Sequence, residues 1–263
     1  MGKIKKKKIQ DPLDTTMSLG DHLEELRARL ILALLGLGVG VILCLILGGK
    51  IVGIIEKPYI DVMGEKARFI IISPAEGFVS YMRIALISGL ILSAPWVFYQ
   101  LWMFIAAGLY PHERRYVQVT IPFSAALFIS GALFFLFVIA KITLQFFVTF
   151  NEKFLSSEST FTFPNYISYV TTLMLVFGIA FQTPIAIFIL NRTGLISIRT
   201  FNKSRKYIIL VVFIIAATLT PPDPFSQVSL ALPLYALFEL GILLSWLSER
   251  RKKKKLATEK QNS

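Results

Sequence analysis

Residues 30–49 read LILALLGLGVGVILCLILGG, twenty positions without a charge between Arg29 and Lys50. A bilayer core takes roughly 20 apolar residues in a helix, so this run is long enough to cross it. Water is absent there, and a helix satisfies its own backbone donors and acceptors. Three more stretches repeat the pattern. No Asp, Glu, Lys or Arg occurs in the 29 residues between Arg83 and Glu113, the 25 between Arg115 and Lys141, or the 33 between Glu158 and Arg192. The sequence therefore predicts an all-α integral membrane protein.

Composition agrees. The chain of 263 residues is 55% hydrophobic, with a mean hydropathy of +0.65, well above a soluble domain. One cysteine, Cys44, rules out an intrachain disulfide, and two histidines leave little for a side-chain zinc site. Cys44 reads as a small packing residue. There is no HExxH, GxSxG, P-loop or GxGxxG, so no catalytic residue, metal or cofactor is expected. The net charge of +12 is better explained by membrane topology than by nucleic acid. The lysines from Lys3 to Lys8 resemble a signal-peptide n-region. The apolar run that follows is longer than an h-region and lacks a clear cleavage site, so it is expected to stay as a first span.

A single membrane domain, 1–263, is expected, with spans near 30–47, 78–101, 117–140, 167–190, 207–219 and 225–247 and a basic tail at 250–263. Ser18 is placed to cap the first helix. Trp102 to Arg115 is expected to lie at the interface, and 50–77 and 141–166 to form loops. Thr220-Pro221-Pro222-Asp223-Pro224 divides the last apolar region, because adjacent prolines cannot continue a helix; a re-entrant hairpin is the competing reading. Span five is about 20 Å long, short of a core of about 30 Å. The bilayer must thin there, or protein must cover its end. Pro95, Pro122, Pro184 and Pro233 predict kinked helices in a curved bundle.

Six spans put both termini on one side. Of 28 Lys and Arg, 21 fall there. Lys50, Lys57, Lys66, Arg68, Arg83, Lys141 and Lys153 fall on the other. The positive-inside rule makes the termini cytoplasmic. Arg250 to Lys255 serves this signal and is also placed to touch anionic lipid. No internal repeat is evident, and nothing shows the paired halves of an inverted-repeat transporter.

Polar groups in the apolar frame are the candidate functional residues. Glu25 and Glu113 both fall on the expected cytoplasmic face. Carboxylates bind guanidinium through paired, charge-assisted hydrogen bonds. The spacing equally allows a local ion pair of Glu25 with Arg29 at i,i+4, and a merely solvated Glu113. Glu239 lies deep in an apolar run, where an ionisable group is either functional or tied to a neighbouring helix. Gln182 and Gln227 are candidates for hydrogen bonding between helices or to a partner. Pro221, Pro222 and Asp223 form a structural turn.

Several segments, read in order, resemble the TatC family, the multi-span subunit of the twin-arginine protein translocase. They are His22-Leu-Glu-Glu-Leu-Arg27, Ser73-Pro74-Ala-Glu76, Ser93-Ala-Pro95 with Tyr99-Gln100, Phe104 through Leu109-Tyr110-Pro-His112-Glu113-Arg114-Arg115, Phe177-Gly178-Ile-Ala-Phe181, and Leu219-Thr-Pro-Pro-Asp223 with Phe225-Ser226-Gln227. The resemblance covers about residues 18–247. It implies a glove-like array of six helices with spans five and six short, in the bacterial cytoplasmic membrane. It also implies a receptor for twin-arginine signal peptides, nucleating a complex that exports folded proteins on the proton motive force. By motif position Glu25 and Glu113 would contact the arginines, with Phe104 beside them. TatA-type and TatB-type single-span proteins and further copies of the chain are the implied partners, with Gln182, Gln227 and Glu239 as polar docking groups. Many family members carry glutamate where this chain has Gln182. Glutamine keeps hydrogen bonding but cannot titrate. A small-solute secondary transporter is the alternative function.

Overall fold

The uncharged run at 30–49 forms the body of the first helix, α1, Leu19–Ile46. The computed structural model describes residues 19–107, 114–155, 161–219 and 224–261. The chain turns at Leu47 into α2, Gly48–Met63, which stops at Gly64 with a φ of 57°. That left-handed conformation favours glycine. A two-residue strand, β1 (Phe69–Ile70), precedes α3, Pro74–Ala107. Next, α4 (Arg114–Phe134) passes through a wide π-turn at 135–139 into α5, Ala140–Phe150, and ends in a second wide turn, Asn151–Leu155. A second short strand, β2 (Phe161–Thr162), pairs in parallel with β1 and leads into α6, Phe163–Ala180. The last helices are α7 (Thr183–Arg192), α8 (Ile198–Leu219) and α9 (Pro224–Gln261).

Proline explains the break between α6 and α7. Pro184 has no N–H for the carbonyl of Ala180, where α6 ends, and its ring suits the first turn of α7. Pro95, Pro122 and Pro233 lie inside continuous helices. Neighbouring helices supply the packing that holds them there.

Among the described residues, five helical stretches are long and apolar enough to cross a membrane: 23–46, 74–107, 120–154, 163–192 and 224–250. The residues expected from the sequence to form span five, 207–219, lie in α8. This helix has 22 residues, about 33 Å, but only its part from Tyr207 onward is uncharged. The apolar thickness is short while the helix is not. The last apolar region forms two helices, α8 of 22 residues and α9 of 38.

Three sequence expectations are corrected. Trp102 to Ala107 continues α3 and is not a separate interfacial segment, because no breaker intervenes before Gly108. Residues 141–155 are helical, extending the third span past Lys141. Most of 50–77 is also helical, since Pro58 is accommodated inside α2. Ser18 lies outside the described residues.

Side chains clamp α1 antiparallel to α3 along their length. Tyr81 Oη donates to the Leu45 carbonyl at 2.6 Å and Trp96 Nε1 to the Leu32 carbonyl at 2.9 Å. Between them the backbones approach closely. A Cβ added at Gly40 would lie 2.6 Å from the Gly89 carbonyl oxygen, and one at Gly89 would lie 2.7 Å from the Val41 nitrogen. Close approach of this kind replaces the hydrophobic drive that lipid removes. Elsewhere Phe135, Leu136, Ile167, Val170, Leu173 and Phe177 form the buried centre between α3, α4 and α6. At the strand-pair end, Tyr59, Phe69, Phe161 and Tyr166 make an aromatic cap.

Candidate functional site

The opposite end of the bundle, where α1 starts and α3 finishes, holds the first group of candidate residues. Glu25 lies in the second turn of α1. Its Oε1 accepts from Arg29 Nε at 2.8 Å, the i,i+4 pairing that the spacing allows. The pair does not stop there. Arg29 Nη1 donates to Gln100 Oε1 on α3 at 3.1 Å, and Gln100 is only 2% exposed. A buried amide therefore fixes the guanidinium, and the guanidinium fixes the carboxylate. Both members of the ion pair are partly exposed, so the pair itself contributes little to stability. What it provides is orientation.

Phe104 follows Gln100 by four residues, on the same face of α3, and is half-buried. Glu113 lies outside the described residues; in sequence it immediately precedes α4. The structure thus brings Glu25 and the Phe104 face of α3 to one end of the bundle. Arg29 and Gln100, the residues that position Glu25, are not candidates by type. The Tyr99-Gln100 pair in the sequence is the one signal that could have found Gln100.

Gln182 sits in the break between α6 and α7. Its Nε2 donates to the backbone carbonyl of Ser124 on α4 at 3.0 Å. Trp102 Nε1 on α3 donates to the Ser124 hydroxyl at 2.8 Å. Ser124 is fully buried, so three elements converge on it. Gln182 thus bonds between helices, one of the two readings its position allowed. Next to it a groove of about 460 Å³ opens between α4, α7 and α9, lined by Phe123, Leu127, Phe188 and Leu247 among others.

Glu239 is tied down on both oxygens. Arg205 Nη2 of α8 reaches Oε2 at 2.8 Å, and Tyr235 Oη donates to Oε1 at 2.7 Å. Glu239 lies fifteen residues into α9, about 22 Å along the helix. It is therefore level with Arg205, near the charged start of α8. Its carboxylate reads as an internal tie. Nearer the α8–α9 turn, Gln227 Nε2 donates to the Phe213 carbonyl at 3.2 Å. Pro221, Pro222 and Asp223 lie outside the described residues.

No group of three or more His, Cys, Asp or Glu close enough to hold a metal occurs among the described residues. What the arrangement offers is an oriented carboxylate at one end, polar ties between helices, and an apolar groove.

Comparison with known proteins gives the family. The family model described as TatC, Sec-independent protein translocase protein, matches residues 21–233. The Sec-independent protein translocase protein TatC of Desulforapulum autotrophicum is 34% identical over 223 residues, 85% of this chain and 82% of its own. That of Escherichia coli is 34% identical over 234 residues, covering 89% and 90%. That of Aquifex aeolicus is 34% identical over 237 residues, covering 90% and 98%. A crystal structure of a twin arginine translocase receptor, TatC, superposes with a TM-score of 0.77 at 33% identity, covering 87% of this chain and 99% of that one.

Proposed function

The chain belongs to the TatC family of Sec-independent protein translocase proteins, a multi-span membrane component and not an enzyme, and from that premise we propose that it is the receptor for twin-arginine signal peptides. In this reading Glu25 and Glu113 bind the paired arginines, and Phe104 packs beside them. In this reading the bundle end that carries Glu25 faces the cytoplasm; the support is the sequence's charge bias, with 21 of 28 Lys and Arg assigned to that side. The membrane is the bacterial cytoplasmic membrane.

One observation carries the proposal. Glu25 already accepts a guanidinium, that of Arg29, in a geometry held by buried Gln100. The contact engages Oε1 alone, and among the described residues nothing engages Oε2. A second guanidinium can therefore be received without rebuilding the site. Lysine could not reproduce this, because its point charge lacks the planar fork.

The chain acts as the core that gathers single-span TatA-type and TatB-type partners and further copies of itself, moving folded cargo on the proton motive force. Gln182, Gln227 and Glu239 are the proposed polar docking groups. For Gln182 and Gln227 the support is an amide at a helix break or a helix–helix seam, where a partner's polar group could exchange into the existing bond. Glu239 has the weakest support, since both of its oxygens are engaged within the chain.

Binding of a labelled twin-arginine peptide to the purified chain tests the receptor reading. A charged-group hydrogen bond contributes roughly 1.5–3 kcal/mol, so Glu25→Ala and Glu113→Ala should each weaken binding by about 10- to 160-fold. Glu24→Ala should change it little. Parent-like binding by both single variants would remove the assignment.

A further inference from the structure

The parallel pairing of β1 with β2 starts α3 and α6 side by side. Arg83 comes nine residues after Pro74, the first residue of α3. Thr171 and Thr172 come eight and nine after Phe163, the first residue of α6. All three therefore lie about 12–14 Å along helices that begin level. Arg83 Nε donates to Thr171 Oγ1 at 3.1 Å, and Nη2 donates to Thr172 Oγ1 at 2.7 Å. The Thr171 hydroxyl in turn donates to the Ile167 carbonyl at 2.6 Å. Two hydroxyls thus aim a guanidinium without neutralising it.

Nothing else described here neutralises it. Among the described residues no carboxylate pairs with Arg83, and its side chain is exposed. A guanidinium has five N–H donors, and the threonines engage two of them. The surface around it is apolar, with Phe78, Val79, Met82 and Leu86 all exposed. An unpaired cation facing hydrocarbon is costly, and such groups recruit a counter-charge.

Depth decides the kind of counter-charge. The apolar surface of α3 begins at Phe78, five residues before Arg83, so the Arg83 backbone lies about 7–8 Å inside it. Side chains on a helix lean towards its N-terminus, here the strand-pair end. Held there by the threonines, the guanidinium is met by headgroups that local thinning of the bilayer brings inward. A partner helix would have to bury its own carboxylate at that depth, whereas a lipid already places a phosphate there. We propose that Arg83, aimed by Thr171 and Thr172, binds the phosphate of a phospholipid in the leaflet beside the strand pair. Under the orientation proposed above this is the outer leaflet. The site goes beyond the signal-peptide reading and does not depend on it.

The test uses the full chain in phosphatidylethanolamine vesicles with a trace of phosphatidylglycerol carrying a photoreactive group close to its glycerol. Adducts are mapped along the chain. Adducts on residues 78–90 should fall about tenfold or more in Arg83→Gln, as expected for loss of charge-assisted hydrogen bonds. They should fall less in Arg83→Lys, which keeps the charge without the fork. In Thr171→Val with Thr172→Val they should fall several-fold although Arg83 remains. Adducts near Arg250 serve as the internal control and should not change. If Arg83→Gln does not insert, Arg83→Lys and the paired threonine variant carry the test. Unchanged adducts at 78–90 in the inserted variants would overturn the site. Displacement by millimolar inorganic phosphate would overturn the lipid assignment in favour of a free anion. In native membranes, a photo-cross-link from position 82 to another protein, lost in Arg83→Gln while lipid adducts persist, would overturn it in favour of a partner carboxylate.

Discussion

Arg29 Nη1 on α1 donates to Gln100 Oε1 on α3 across 3.1 Å, linking residues 71 apart in sequence. The bond has a direction of control. Gln100 is buried and fixed by packing, whereas Arg29 and Glu25 are partly exposed. Gln100 is therefore a positioning residue for Glu25. Gln100→Leu removes the acceptor and leaves the Arg29 guanidinium free to swing. Because the effect is transmitted through Arg29, the expected loss in twin-arginine peptide affinity is about 3- to 10-fold, below that of a direct charged hydrogen bond. Gln100→Glu restores an acceptor and should recover much of it. Peptide titration of the three proteins, alongside their melting temperatures, checks this. A structural role alone would lower melting without separating Leu from Glu.

The glycine contact midway along the same helix pair gives a second prediction. A side chain at Gly89 has no space, since its Cβ would meet the backbone of α1 at Val41. Backbone does not yield as a side-chain tip does. Gly89→Val should therefore force α1 and α3 apart, at a cost of roughly 1–3 kcal/mol. The Arg29–Gln100 bond lies eleven residues further along α3, so opening the seam should also weaken peptide binding. Gly38→Ala, where an added Cβ meets nothing within 4 Å, is the matched control. Thermal melting in detergent and peptide titration should separate the two variants.

This seam also shows what the sequence could and could not reveal. Uncharged runs pointed to the long apolar helices because the length needed to cross a bilayer is a local property of the sequence. Gly40 and Gly89 look like any glycines in apolar runs, and only their meeting across two helices gives them a purpose. The same holds for the site. Glu25 and Phe104 were proposed from their motif positions, and the i,i+4 partner Arg29 was legible from spacing. Gln100 as its anchor was not, because hydrogen-bond partners 71 residues apart leave no periodic trace. Glu239 stood out because the run around it is apolar, which left a functional role and a tie to a neighbouring helix equally open. Its partner Arg205 sits on the other arm of a helix pair, invisible to a linear reading.

Gln182 tests whether a polar group in a span ties the fold, docks a partner, or does both. Its amide donates to the Ser124 carbonyl. Interhelical hydrogen bonds in membranes contribute about 0.6–2 kcal/mol. Gln182→Leu should lower stability by about that amount and should also weaken co-purification of the single-span partner. Gln182→Glu should be tolerated, because a protonated carboxyl can still donate. Reduced melting with unchanged co-purification would leave Gln182 as a tie between helices alone.

Orientation is the last prediction, and the helix ends make it sharp. The starts of α1 and α8, the end of α7 and the distal half of α9 share one end of the bundle, and their basic residues share it with them. These include Arg27, Arg29, Arg192, Lys203, Arg205 and Arg250. The strand-pair end instead holds Asp61 on α2, paired with Lys141 on α5 at 3.3 Å. Loops rich in Lys and Arg stay on the cytoplasmic side, so a cysteine at Lys203 should be silent to an impermeant reagent in sealed cells. One at Glu65, exposed at the other end, should label at once. The native Cys44 is only 2% exposed within α1 and should add no background; Cys44→Ala verifies that. Permeabilising the cells should then release labelling at Lys203. If Lys203 labels in sealed cells while Glu65 does not, the bundle is inverted, and Glu25 cannot meet a signal peptide before export.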